Sequence, residues 1–196
     1  MNTFKAETRS MDIKAKRLRR EGFVTGNVFG REIQGSIPVK MEKREAERLM
    51  KTCMKGSQII LEVDGQPMNV LIKEIDYSAM KNQIDEIDLQ QLVKGEKVHS
   101  VAEVILLNHE KIAEGVVQQR LQEIAYKADP SALVEKVEVD VSSMKIGDSI
   151  HVKDLPIASD KDIDLTTDRD AIVVSVIAVH NQPVETDGDA ETEEEK

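Results

Sequence analysis

Cysteine is almost missing from this chain: Cys53 stands alone. A single thiol excludes an internal disulfide and any cysteine-rich zinc site. There is no Trp, and three Phe with two Tyr are too few rings for a platform that reads single-stranded bases by stacking. No glycine loop of the G-x-G-x-x-G or Walker type occurs, so nucleotide binding of those kinds is excluded. No apolar run is long enough to span a bilayer, and the opening MNTFKAETRS has no apolar stretch of signal-peptide length. These absences predict a soluble, cytoplasmic protein without a cofactor or a membrane partner.

The 196 residues, 40% of them hydrophobic, are enough for packed cores in one large domain or two small ones. Charge is divided unevenly along them. Residues 1–60 hold 14 Lys+Arg against 7 Asp+Glu, while residues 94–196 hold 11 against 23. A net charge of −10 therefore conceals a basic front, and only the front suits a polyanion. Its centre is the stretch RSMDIKAKRLRREGFVTGNVFG, residues 9–30. Lys14, Lys16, Arg17, Arg19 and Arg20 fall within seven positions, and the common counter-partner of such a field is nucleic-acid phosphate. A solvated helix face is the alternative reading of the same cluster. A nuclear-localisation pattern ranks lower, because the flanking residues have the pattern of folded structure.

Hydrophobic periodicity predicts mainly β structure with a few helices. Strands are expected over Phe4–Thr8, Phe23–Phe29 and Ser36–Met41, where Pro38 prefers an edge. The basic run reads as one or two helical turns stopped by Gly22. Lys43–Met54 is the best helix, with Ala46, Leu49, Met50 and Cys53 on one face and Gly56 as its stop. Gln58–Val63 and Pro67–Ile75 flank Asp64-Gly65 as a β-hairpin, and Ile84–Leu92 follows as a strand. A boundary is expected at Lys94-Gly95. Beyond it Val98–Leu107, Leu121–Ala128, Lys136–Val141, Ser149–Val152 and Ala171–Val179 are β-rich, at a spacing that suits a sandwich or open barrel. Residues 181–196 are acidic without apolar anchors and are expected to be disordered.

Catalytic and metal motifs fail on inspection. His109 opens an HEKIA segment, but Ala113 occupies the place of the second imidazole that zinc chemistry requires. Ser142 and Lys145 fit S-x-x-K without its partner motifs. Asp160, Asp162 and Asp164 imitate a calcium loop, yet Leu165 replaces its glycine and Ala171 its final glutamate. His99, His109, His151 and His180 are scattered. No catalysis is expected.

The surviving pattern resembles a known family. The basic arm, G-F-V-T-G-N-V-F-G, S-I-P-V, the amphipathic helix, V-L-I-K-E-I, I-D-E-I-D-L and then V-E-V-D-V-S-S-M-K-I-G-D-S-I with K-D-L-P resemble the bacterial large-subunit ribosomal protein numbered twenty-five. The similarity is to its long form, of the general-stress Ctc type, over roughly residues 3–180. That resemblance implies a structural protein of the large subunit that binds 5S rRNA beside neighbouring ribosomal proteins; with no heptads or strong apolar surface stripes to signal an oligomer, a monomer is expected off the ribosome. It implies an N-terminal six-stranded β-barrel with helices (residues 1–93), a β-rich, sandwich-like second domain (94–180) and the acidic tail. RNA contacts are implied at Arg9, Lys14, Lys16, Arg17, Arg19, Arg20, Phe29, Asp76 and Glu86, so charge reversal of Arg17, Arg19 and Arg20 is expected to abolish binding. Specificity would come from helical shape and 2′-hydroxyls, because phosphate contacts position without reading sequence.

This chain departs from the family pattern at informative places. Phe29 replaces a usual Tyr, Thr25 a Pro placed in a turn, Asp76 a Gln, Glu86 a His and Leu89 a Phe. Ionised carboxylates cannot donate hydrogen bonds and repel phosphate. A diverged, stress-related adaptor that keeps the fold and binds proteins is therefore the alternative.

Overall fold

The computed structural model describes residues 2–112 and 115–178; the acidic stretch expected to be disordered lies outside them. The first half contains β1 (Thr3–Thr8), α1 (Ala15–Arg20), β2 (Phe23–Phe29), β3 (Ser36–Glu42), α2 (Lys43–Thr52), β4 (Gln58–Val63), β5 (Gln66–Ser78) and β6 (Gln83–Gln91). Its six strands close into a barrel in the order β1-β3-β2-β6-β5-β4. Alternation along each strand sends Val24, Val28, Val39, Met41, Ile59, Leu61, Val70, Ile72, Ile87 and Leu89 inward, and α2 adds Ala46, Leu49 and Cys53 to the same cluster.

Local chemistry explains the closure. Asp64 and Gly65 both take positive φ, 49° and 84°, which is the geometry a two-residue hairpin between β4 and β5 requires. The Asp64 carboxylate accepts hydrogen bonds from the Thr8 backbone N–H and hydroxyl, tying the end of β1 to that turn. Gly26 faces Ile87 where β2 and β6 run parallel. A Cβ there would stand 2.4 Å from the Ile87 carbonyl oxygen, so only glycine permits this strand spacing.

Pro38 is no barrel edge, since β3 pairs on both sides. Its carbonyl accepts from Arg9 N–H at 2.9 Å, just past the last β1–β3 register pair, Thr8–Val39. A strand residue's N–H and C=O point the same way, so the missing proline N–H falls where β1 has run out. The edge preference is met locally.

The second half contains β7 (Val98–Leu107), β8 (Val116–Gln119), β9 (Glu123–Ala128), β10 (Lys136–Asp140), β11 (Ser149–His151), β12 (Ile163–Leu165) and β13 (Ile172–Ile177). Two sheets, β10-β7-β9-β12 and β11-β13-β8, share one core that includes Val104, Ile124, Tyr126, Val139, Val152 and Val173. The sandwich-like, mainly β expectation therefore holds. The helix stop does not fall as expected. Helix α2 ends at Thr52, because Cys53 is extended (φ −133°, ψ 154°). Gly56 instead lies in the following turn, with φ 86°.

Tyr126 is fully buried and its hydroxyl is the polar hinge of this core. It donates to Val134 O at 2.8 Å and accepts from Val134 N–H at 2.7 Å. Burial, ahead of its hydrogen-bond partners, holds the phenol above its ordinary pKa, so it stays neutral. Tyr126→Phe strands both Val134 groups, and the expected loss is about 1–2 kcal/mol. Urea denaturation would register it as a lower midpoint at unchanged slope.

Candidate nucleic-acid interface

Helix α1 has six residues and no side-chain N-cap, too little to persist alone. Tertiary contacts hold it. Leu18 is 3% exposed, the helix lies along β2, and Arg19 Nη1 reaches Asp85 Oδ2 at 3.5 Å. Arg9 Nη2 donates to Ile13 O at 3.0 Å, which fixes the chain entering the helix. Three of the cations, Arg17, Arg19 and Arg20, occupy the last turn, where the helix carbonyl end favours positive charge.

One side of α1 is thereby committed and the other is open. Lys14, Lys16, Arg17 and Arg20 are exposed, whereas Arg9 and Arg19 are half-buried. Arg17 Nε pairs with Glu21 at 2.8 Å; that hydrogen bond, followed by the Glu21 charge, raises the guanidinium further above its ordinary pKa. Lys14, Lys16 and Arg20 form no ion pair among the described residues. The expected row of six cations is thus four at the surface and two acting as internal ties.

The strands beside α1 carry the opposite sign. On the outer face of the barrel Thr25 stands beside Glu86, and Glu86 beside Asp76. One step along, Asn27 stands beside Asp88, and Asp88 beside Glu74. Four carboxylates therefore occupy a two-by-two patch on β5 and β6, and none has an ion-pair partner among the described residues. Asn27 Nδ2 donates to Glu86 Oε1 at 3.1 Å and to Asp88 Oδ1 at 3.5 Å. Phe29, half-buried, lies opposite Gln90 and Ser36 at the far end of β2.

Glu74 and Asp88 were not anticipated as members of this patch. The register slips before Glu74 and after Asp76, and between those slips Glu74–Asp88, Ile75–Ile87 and Asp76–Glu86 pair without interruption, so the patch follows by alternation once the pairing of β5 with β6 is known. Thr25 is in the middle of β2 and not in a turn; it is 1% exposed and its hydroxyl donates to Asp85 O at 3.3 Å. Leu89 is a core residue, so its difference from Phe concerns packing.

The rejected motifs have ordinary local roles where they are described. His109–Lys111 is a short 3₁₀ turn, and position 113 lies outside the described residues. Asp160 accepts from the backbone N–H of Asp162. Among the described residues no group of three His, Cys, Asp or Glu could hold a metal, and no helix is long and apolar enough to cross a membrane.

The two halves of the fold match two profiles. The Ribosomal L25p family profile covers residues 4–89, the barrel, and the profile for ribosomal protein TL5, C-terminal domain, covers residues 97–180. The large ribosomal subunit protein bL25 of Alkalilimnicola ehrlichii is 32% identical over 187 residues, spanning 91% of this chain and 87% of its own length. The chain belongs to the bL25 family. The bL25 of Thermoanaerobacter sp. strain X514 is 29% identical over 84% of this chain and 82% of its own. That of Bacillus velezensis is 26% identical over 100% and 97%.

Proposed function

We propose that this bL25 protein is a structural component of the large ribosomal subunit that docks on 5S rRNA through α1 and the segment before it. In this reading residues 1–93 form the docking domain, residues 94–180 a second domain, and the protein resides on the cytoplasmic ribosome beside other ribosomal proteins. The observation that carries it is the outward row Lys14, Lys16, Arg17 and Arg20, braced from below by Leu18 and Arg19. Each cation meets a phosphate and displaces condensed counterions. Arg9 supports the arm from within, and Phe29 offers an apolar surface at the end of the same strand. Asp76 and Glu86 do not contribute attraction; they oppose the phosphates of RNA that extends from α1 over β6 and β5.

Gel-shift titration against 5S rRNA and an unrelated structured RNA at two salt concentrations tests this reading. Four phosphate contacts predict roughly a hundredfold loss of affinity between about 50 and 200 mM salt. An affinity that barely responds to salt, or equal affinity for both RNAs, would sink it. A second reading, a stress-related adaptor that keeps the fold and binds proteins, is favoured only by the carboxylate patch. It expects no 5S selectivity and recovery of the protein in ribosome-free fractions.

A further inference from the structure

The barrel and the two-sheet unit meet at a crease, and an irregularity in β5 shapes it. Between the pairs Ile72–Leu89 and Glu74–Asp88 the register slips, leaving Lys73 as an extra residue. Such a bulge re-aims a side chain, and Lys73 Nζ crosses to β7 to donate to the His99 carbonyl at 2.6 Å. That bond uses one of three ammonium donors. No carboxylate lies within ion-pair distance of Lys73 among the described residues. Lys73 is half-buried; burial first, and then the positive charge of Lys55, push its ammonium below the ordinary pKa. A cation so placed is in want of an anion.

The rest of the crease supplies matching donors. Lys55, from the turn after α2, lines it while pairing with Glu123 at 3.1 Å. Ser100, on β7, is 6% exposed, and its enclosed Oγ has no well-formed hydrogen bond among the described residues, with only the Tyr126 hydroxyl beside it. The neighbouring Tyr126 hydroxyl has its proton committed to Val134 O. At Gly56 a Cβ would stand 2.2 Å from Val101 O, so glycine keeps the two walls in close approach. The cavity between them measures about 140 Å³.

We propose that this crease binds a phosphate group, held by Lys73 and Lys55 and by the Ser100 hydroxyl. The donors arrive from three separate segments, β5, the α2–β4 turn and β7, so a tetrahedral oxyanion can meet all of them where a planar carboxylate presents two oxygens. Because Lys73 belongs to the barrel and Ser100 to the two-sheet unit, the bound group clasps the two together. The phosphate is either free or part of an RNA backbone; only the latter source rests on the function proposed above.

The test is ¹H–¹⁵N NMR of the full chain titrated with potassium phosphate, with potassium chloride at matched ionic strength as the control. The Gly56, Lys73 and Ser100 amides are expected to shift saturably with phosphate and not with chloride. Lys73→Met, which keeps the apolar stem, should weaken the response at least tenfold. Lys73→Arg should retain it, and Ser100→Ala should reduce it with the spectrum otherwise intact. In a parallel arm, Lys73→Met is titrated against 5S rRNA. A fall of about one in the salt slope assigns the site to a backbone phosphate, and an unchanged slope, with the parent protein showing the saturable phosphate shifts and Lys73→Met losing them, assigns it to free phosphate. Equal shifts with chloride, or a wild-type phosphate response in a folded Lys73→Met protein, would overturn the inference whatever the outcome for α1.

Discussion

Reversing Lys16, Arg17 and Arg20 to Glu is expected to weaken 5S rRNA binding by roughly a thousandfold near 0.1 M salt while leaving the protein folded. Each reversal removes a phosphate contact and places a like charge against the backbone, together worth roughly 1.4 kcal/mol or more per site, or a factor of ten. All three side chains are exposed, and substitutions at such positions usually change stability by less than about 0.5 kcal/mol. The salt slope should fall by about 2.7, the share of three phosphates. Thermal denaturation and gel shift on the same preparation separate the two effects. A triple variant that binds within threefold of the parent would place the RNA elsewhere.

Arg19 is left out of that triple for a structural reason. Its guanidinium is directed at Asp85, and reversal there would set two carboxylates together beneath α1 and loosen the helix. From sequence alone Arg17, Arg19 and Arg20 are equivalent members of a charge run, because the run shows no periodicity that singles out an inward cation. Leu18 gives the inward direction, and Arg19 follows it by one position. The paired role of Arg19 depends on β6, which is more than sixty residues away in the chain.

The same distinction between local and non-local signals separates what was legible from what was not. The barrel strands, α2 and the Asp64-Gly65 hairpin are encoded in short-range patterns and turn chemistry. Strands β8 and β12 are not. With four and three residues they are too short for a periodic signal. Each exists because a partner strand is available: β8 pairs with β13, and β12 with β9. The acidic appearance of Asp160–Asp164 suggested a failed metal loop, whereas Ile163 turns into the core and Asp164 faces Lys97 at 2.7 Å. The carboxylate patch was half legible. Asp76 and Glu86 stood out against the family pattern, but Glu74 and Asp88 join them only through the cross-strand pairing of β5 with β6, two positions along each strand.

Asp76→Gln with Glu86→His, the residues the family pattern favours, should both strengthen RNA binding and stabilise the barrel. The two side chains are cross-strand neighbours of the same sign, flanked by the like pair Glu74 and Asp88. Opposed like charges on a sheet cost about 0.2–1 kcal/mol, and neither position has a counterion among the described residues to offset it. Thermal or urea denaturation should therefore show a gain of that size. For RNA, a carboxylate about 5 Å from a phosphate costs about 1 kcal/mol even at the dielectric of water. Removing two predicts roughly thirtyfold tighter binding, with Gln and His also restoring hydrogen-bond donors. The readouts separate the alternatives. A gain in both means that RNA spreads from α1 onto β6 and β5 and that the carboxylates weaken an otherwise ordinary bL25 contact. A gain in stability alone means that the RNA contacts the arm and never reaches the strands, leaving the acidic face open to a basic partner. Loss of affinity would mean the carboxylates themselves take part in recognition, the one result that electrostatics against phosphate forbids.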